Sequence, residues 1–326
     1  MQSFVPRGVT GVGGDGRSIG WIGTGRMGTA MVERLLAAGH GVSAYNRSPE
    51  KLEPLVAAGA SAVGTIGELA ERDVVFLTVG GSDDLLAVLD HDGGLLHQPR
   101  APRVVVDLST VSVEASARAR ALAATRGTAL LAAPVSGNPG VVRAGRLTMA
   151  VSGPRSAFEE VESYLRAIGR GVTYVGDGEV ARTVKLCHNL FLGGVIQSLV
   201  EVTVLAEKAG VRRNDFLAFL NDSVLGSDFT RYKTPQLVNL DFAPTFTTRL
   251  LRKDFDLGLA AARELEVPMP VLGLVHQIVQ AGVGEGIGEL DFAALINLVA
   301  RGAGRALQSE DSPVDGGLAP VGDRQP

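Results

Sequence analysis

Cysteine is all but missing from this chain. Cys187 is the only one among 326 residues, so no disulfide can form within the chain, and this usage fits a reducing compartment. Neither charge is in excess: 31 Lys and Arg stand against 35 Asp and Glu, a formal net charge of −4. Such a balance gives no electrostatic reason to expect nucleic acid or an anionic membrane as a partner. Long apolar runs are also scarce. Leu190–Leu205 is interrupted by Gln197 and Glu201, falls short of the roughly 20 apolar residues of a membrane span, and reads as a buried helix. Met1–Arg17 is glycine-rich, carries Asp15 and has no apolar core segment, so no signal peptide is expected and the location expected is cytoplasmic. No repeat of solenoid period is present. Cys187 and His188 are adjacent and point to different helix faces, and His40, His91, His97 and His276 are scattered, so no metal site is expected.

What remains is an ordinary globular composition, 45% apolar and 20% charged, in a chain long enough for two domains. In the first half, short apolar runs alternate with helix-period segments. Strands are expected at Ser18–Ile22, Gly41–Tyr45, Val74–Val79, Val104–Leu108 and Ala129–Ala132, with Leu147–Val151 and Val172–Val175 extending the set. Between them lie helices at Arg26–Ala38, Pro49–Ala58, Ser82–Asp90, Val113–Thr125 and Ser156–Ile168. Continuous apolar strands alternating with helices indicate a parallel sheet wound on both faces.

After Gly178 no convincing strand is seen. Glu179–Ala209 reads as one long helix, followed by helices at Asn214–Asn221, Arg252–Glu264, Pro270–Ala281 and Phe292–Ala300. The expected class is therefore α/β: an N-terminal Rossmann-type doubly wound sheet, then an all-α domain, with a long interdomain helix. The expected boundaries are a disordered leader 1–17, a dinucleotide domain 18–177, a helical substrate and dimerisation domain 178–302, and a disordered tail 303–326.

Gly23-Thr24-Gly25-Arg26-Met27-Gly28 lies between the first strand and the first helix. In that context Gly23 permits a tight turn, Gly25 lets backbone approach a pyrophosphate, and Gly28 lets helix and strand pack closely. The helix N-terminus offers unpaired N–H groups and a positive dipole end to phosphates. Gly11-Val12-Gly13-Gly14 upstream has no strand before it and is not expected to bind. About 20 residues past the first glycine, sites that prefer NAD carry Asp or Glu. Asn46 stands there, followed by Arg47 and Ser48. A carboxylate would repel a 2′-phosphate, whereas a guanidinium can grip it, so NADP is favoured over NAD.

Three further segments carry chemistry. Asp107-Leu108-Ser109-Thr110 ends a strand on the carboxyl edge of the sheet, where such folds place ligands; its alternative role is capping the helix that begins near Val113. Ala133-Pro134-Val135-Ser136-Gly137-Asn138-Pro139-Gly140 is a tight loop whose backbone N–H groups can form a nest for a carboxylate. Lys185, His188 and Asn189 lie three and four residues apart, hence on one helix face. Flanked by Val184 and Leu186, Lys185 would lose hydration and move toward acid–base range.

These residues, in this order from Ser18 to Ala300, resemble the β-hydroxyacid dehydrogenase family. The cofactor motif matches Gly23 to Gly28, Met27 included. The substrate loop resembles Ala133-Pro134-Val135-Ser136-Gly137 and the following Ala144-Gly145-Arg146-Leu147-Thr148, and the catalytic motif resembles Lys185-Leu186-Cys187-His188-Asn189. A later signature matches Arg252-Lys253-Asp254-Phe255-Asp256-Leu257. The resemblance implies that Lys185 is the general acid in reduction and the base in oxidation, and that Asn189 orients Lys185 and the substrate. It assigns the substrate to Ser136, Gly137, Asn138 and Ser109. The coenzyme falls to Val79, Thr110 and Lys253, together with the glycine motif and Asn46, Arg47 and Ser48. Hydride passes directly from the nicotinamide.

The chain departs from the family pattern at five positions. Asn138 replaces a second glycine, so its side chain is expected to reach the substrate pocket. Glu179 and Ala181 replace glycines before the lysine, Gly80 replaces a proline after Val79, and His188 stands where the family more often has Asn. The expected function is an NADP-dependent oxidoreductase that interconverts a small 3-hydroxy acid and its semialdehyde or keto form, working as a homodimer or homotetramer. An imine reductase of the same architecture is the near alternative, although such enzymes generally lack the lysine. A non-catalytic NADP-binding sensor or scaffold is the distant one.

Overall fold

A computed structural model describes residues 16–318. The chain divides into two compact units, 1–185 and 186–326.

The first unit holds a nine-stranded sheet: β1 (Ile19–Ile22), β2 (Val42–Tyr45), β3 (Ser61–Ala62), β4 (Val74–Leu77), β5 (Val104–Asp107), β6 (Ala129–Ala132), β7 (Val135–Ser136), β8 (Thr148–Ser152) and β9 (Gly171–Gly176). Its order is β3-β2-β1-β4-β5-β6-β8-β7, with β9 on β8. The six strands from β3 to β6 are parallel; β8 runs antiparallel to β6 and β7. Every residue of β1, β4 and β5 is buried, which is why these strands read as unbroken apolar runs. Two apolar clusters cover the sheet. One holds Trp21, Met31, Phe76 and Tyr164, and the other Ile22, Leu77, Leu85 and Leu89. Burying each such side chain contributes about 1.5–3 kcal/mol. The register pairs Ile22 with Tyr45 and Leu77, and Leu77 with Asp107. The turns after β1, β2, β4 and β5 therefore emerge along one edge.

Most elements fall where the apolar period puts them. The segment Pro49–Ala58 splits into a 3-10 turn, Pro49–Leu52, and a short helix, Glu53–Ala57, because Pro54 has no N–H for the ladder. β3, β7 and a short helix at Pro139–Arg143 were not expected. They are too short for a period to reveal. Of the expected leader, residues 1–15 lie outside the described residues. Arg17 is not loose: its Nε lies 3.5 Å from a carboxylate oxygen of Glu160.

The helix Val180–Lys208 begins in the first unit and continues into the second. The division falls inside this helix, past the last strand, which ends at Gly176. It is long and apolar enough to cross a membrane by length and composition, but Ile196, Leu199, Val200 and Val204 are buried in the core of the second unit, as in a core helix. The helices Arg213–Asp222, Asp228–Asn239, Thr248–Glu264, Pro270–Gly282 and Leu295–Gly302 complete that unit. Gly193 is required where it stands, since a Cβ there would lie 2.1 Å from the Phe255 ring. Helix Asp228–Asn239 was not expected, because Pro235 lies inside it. It is set by Ser227, whose Oγ accepts from Thr230 N at 3.1 Å while Thr230 Oγ1 accepts from Ser227 N at 2.9 Å. The tail also differs from expectation. Leu307 and Val314 pack on the helical core, Glu310 accepts from Arg213 N at 2.7 Å, and Asn239 exchanges hydrogen bonds with Ser312. Residues 303–318 are thus tied down, and 319–326 lie outside the described residues.

Candidate active site

At the edge of the sheet, Gly23 takes φ +93°, and a Cβ there would lie 2.2 Å from Thr78 O. A Cβ on Gly28 would lie 2.1 Å from Gly23 O. Only glycine fits either place. Gly25 faces open space instead, with nothing within 4 Å of its would-be Cβ. It is the N-cap of helix Arg26–Ala37, makes no side-chain cap, and no acidic residue occupies the first turn. The N–H groups of Arg26, Met27 and Gly28 are thus presented to an anion. Thr24 is buried, and its Oγ1 has no hydrogen-bond partner among the described residues. A tight turn, an open glycine, an uncapped helix and an orphaned buried hydroxyl together fit a dinucleotide pyrophosphate.

The carboxamide of Asn46 is committed to the backbone. Its Oδ1 accepts from Thr24 N at 2.9 Å and its Nδ2 donates to Ser48 O at 3.0 Å. Asn46 therefore pins the glycine turn to the end of β2 and places Arg47, which is exposed, just beyond it. Ser109 has a task within the sheet. It is buried, and its Oγ accepts from Val79 N at 2.9 Å, so its hydroxyl ties the end of β4 to the end of β5. Neither it nor Thr110 caps the following helix; Ser112 does, accepting from Ala115 N at 3.1 Å. Thr110 is half-buried in the intervening turn.

In the substrate loop, Gly137 has φ +143° and a would-be Cβ 2.8 Å from Val141, so glycine is needed there. Ser136 pairs with Thr148 at the end of β7. Asn138 has a local role in the backbone. It is buried, and its Oδ1 caps the helix Pro139–Arg143 by accepting from Val141 N at 3.0 Å. Asparagine before proline is a helix start.

The long helix starts against the same sheet. Glu179 pairs with Arg120 at 2.6 Å, Arg120 Nη2 donates to Gly178 O at 2.8 Å, and Ala181 N donates to Ser152 Oγ at 3.2 Å. The two departures from glycine are thus accommodated by an ion pair and a buried methyl. Arg182, not singled out from the sequence, is 1% exposed and pairs with fully buried Asp107 at 2.5 Å. Its Nη1 also donates to Ser109 O at 2.6 Å and its Nε to Ser116 Oγ at 3.0 Å. Its one sequence signal is an arginine in the first turn of an apolar helix. Lys185, three residues on, is half-buried; Leu186 beside it is buried, whereas Val184 is 42% exposed, so only one of the two flanks expected to strip water does so.

Within the second unit, Asn189 is buried and donates from Nδ2 to Asp254 Oδ2 at 2.5 Å. Its Oδ1 lies 2.9 Å from His188 Nδ1. With the amide nitrogen committed to a carboxylate, that oxygen is the acceptor and His188 Nδ1 the donor. Lys253 Nζ lies 4.0 Å from Asp254 Oδ1. Asp254 therefore gathers Asn189 and Lys253, a role its place beside Lys253 in the sequence does not disclose.

A glycine turn and uncapped helix at the carboxyl edge of a parallel sheet, followed by a lysine-bearing helix that continues into a helical unit, define a nicotinamide-dinucleotide oxidoreductase. Residues 18–176 match the NAD binding domain of 6-phosphogluconate dehydrogenase, and 178–299 match the NAD-binding domain of NADP-dependent 3-hydroxyisobutyrate dehydrogenase. The 2-(hydroxymethyl)glutarate dehydrogenase of Eubacterium barkeri is 32% identical over 282 residues, covering 86% of this chain and 94% of that one. The crystal structure of 3-hydroxyisobutyrate dehydrogenase from Salmonella typhimurium superposes with a TM-score of 0.78 at 25% identity, covering 86% and 99% of the two chains. Psf3, solved in complex with NADP+ and 2-OPP, gives 0.79 at 26% identity with the same coverage. The chain belongs to the β-hydroxyacid dehydrogenase family and is an NAD(P)-dependent enzyme of it.

Proposed function

We propose that the protein interconverts a small 3-hydroxy acid and its semialdehyde or keto form, with NADP preferred to NAD and with Lys185 moving the proton. The observation that carries this reading is the helix Val180–Lys208, which bears Lys185 and, one turn later, an Asn189 immobilised by buried Asp254. When bound, the nicotinamide supplies or accepts the hydride. Lys185 Nζ gives a proton to the carbonyl oxygen in reduction and takes it back in oxidation. Asn189 orients the lysine and the substrate, while the backbone N–H groups at Ser136 and Gly137 hold the substrate carboxylate. Arg47 grips the 2′-phosphate, and Lys253 adds positive charge for the coenzyme.

The reading extends to a cytoplasmic homodimer or homotetramer, supported by Phe191 and Leu205 on the long helix, 71% and 69% exposed. A monomeric mass by light scattering would remove that part.

The decisive assay follows NADPH and NADH with a panel of semialdehydes, hydroxy acids and cyclic imines. Wild-type enzyme is expected to reduce a semialdehyde, and Lys185→Met to lose about 10²–10⁴ in kcat while still binding NADPH. Turnover of imines alone would assign the enzyme to imine reduction, and binding with no turnover of any compound would make it a sensor. Arg47→Ala should raise the Kd for NADPH about tenfold, the loss of one charge-assisted pair, and leave NADH binding unchanged. Equal effects on both coenzymes would end the case for NADP.

A further inference from the structure

We infer that Arg182, locked to Asp107, is a positioning residue for Lys185: it sets the rotation of the catalytic helix against the strand edge that carries the coenzyme motif. This inference rests on the role proposed for Lys185. The pair is 1% and 0% exposed, and a buried ion pair is a poor way to gain stability, because removing two charges from water consumes most of what their attraction returns. Stability alone therefore does not explain it.

The geometry does. The guanidinium spends its N–H groups in three directions, on Asp107 Oδ2 at the end of β5, on Ser109 O in the following turn, and on Ser116 Oγ in the next helix. A planar fork held at three points has no rotational freedom. Lys185 is three residues further along the same helix, so its side chain emerges beside that of Arg182, one turn away. The start of the helix is already attached by other means, through Ala181 N on Ser152 and through Arg120 on Gly178 and Glu179. What Arg182 adds is rotation about the helix axis, the coordinate that decides where a lysine on that face points. The same contacts reach the coenzyme edge. Ser109, whose carbonyl receives Arg182, holds Val79 N with its hydroxyl, and its own N–H donates to Asp107 Oδ1 at 3.0 Å. One buried cluster thus references the proton donor to the strand ends beside the glycine turn. Misplacing a catalytic group by about 1 Å can cost roughly a hundredfold in rate, which gives such a device its value.

The test compares Arg182→Met, the double variant Arg182→Met/Asp107→Leu, and Arg182→Lys. Each is measured by Tm, by NADPH fluorescence titration, and by kcat with ordinary and C4-deuterated NADPH. Arg182→Met strands a buried carboxylate and should lower Tm. The double variant should restore Tm, yet leave kcat down by at least about tenfold with a larger deuterium isotope effect. Its NADPH Kd should stay within about threefold of wild type, half a decade in affinity. Arg182→Lys, which keeps the charge but gathers its donors on one nitrogen instead of a planar fork, should fold and still fall short of wild-type kcat. Recovery of kcat together with Tm in the double variant, or full kcat in Arg182→Lys, would show that Arg182 serves stability only. A rise in the KM for NADPH with kcat intact would place its effect on the coenzyme and overturn the inference. Lys185→Met in the same assay separates the two ideas. If it turns over normally, the role of Lys185 is wrong; if it is dead while the double variant is fully active, only the positioning inference fails.

Discussion

Arg182 in the sheet unit and Lys233 in the helical unit are both buried cations on buried aspartates, yet they do different work. Lys233 Nζ lies 2.5 Å from Asp291 Oδ1, 2.8 Å from Gln236 Oε1 and 3.1 Å from Thr245 Oγ1, with the Phe292 ring beneath it at 4.2 Å. Asp291 also accepts from Thr245 and Ala293 backbone N–H groups at 2.9 and 3.0 Å. Burial pushes the Lys233 ammonium below its ordinary range against the pull of Asp291. Burial works the other way on Asp291, but the charge and hydrogen bond of Lys233 hold its carboxyl low. Burial, followed by the carboxylates of Asp291 and Asp228, raises the neighbouring Tyr232 phenol. This pair stitches helix Asp228–Asn239 to the 291–293 turn, and none of the proposed catalytic residues lies among its partners. Arg182 is one helical turn from the proposed proton donor. A buried charge does not mark a functional site by itself; what it fixes in place does.

The comparison can be broken at Lys233. Lys233→Met strands Asp291 and should cost about 3–5 kcal/mol in chemical denaturation, with the kcat of the folded fraction unchanged. Lys233→Met/Asp291→Leu should recover most of that stability and keep wild-type kcat, whereas the matched double variant at Arg182 and Asp107 keeps stability and loses kcat. Equal kcat losses in the two doubles would erase the distinction drawn here.

A smaller effect sharpens it from the acid side. Asp73 accepts from Ser18 N and Ser18 Oγ, both at 2.8 Å. The Ser18 backbone bond leads in holding its carboxyl below the usual range, against burial and with help from the Ser18 hydroxyl, Arg103 and Arg17. A depressed folded pKa stabilises above the unfolded value of about 3.9, and that contribution fades as pH falls through the folded value. Asp73→Asn should therefore be less stable than wild type at neutral pH, and the gap should narrow below about pH 4. A gap independent of pH would show that the carboxylate charge is irrelevant there.

The sheet was largely legible because its strands are buried on both faces and its helices keep a clean period. Val104–Asp107 and Val113–Thr125 needed only local pattern. Gly23 and Gly28 could be placed for the same reason, since a strand, a turn and a helix are adjacent in sequence. Partners across the chain were not legible. Arg182 and Asp107 are 75 residues apart and Asn189 and Asp254 are 65 apart, distances that no spacing rule spans. Nor were the backbone partners of polar side chains legible: Ser109 holds Val79 N and Asn138 holds Val141 N. Helix Asp228–Asn239 was hidden by Pro235, and the tail by a polar composition that conceals its anchors on Arg213 and Asn239.

The most direct measurement is a crystal structure of the enzyme with NADPH and an unreactive substrate analogue. The account predicts Lys185 Nζ within hydrogen-bond reach, about 2.6–3.2 Å, of the analogue oxygen that stands for the carbonyl. An ammonium turned to solvent while both ligands are bound, with another side chain on that oxygen, would contradict it.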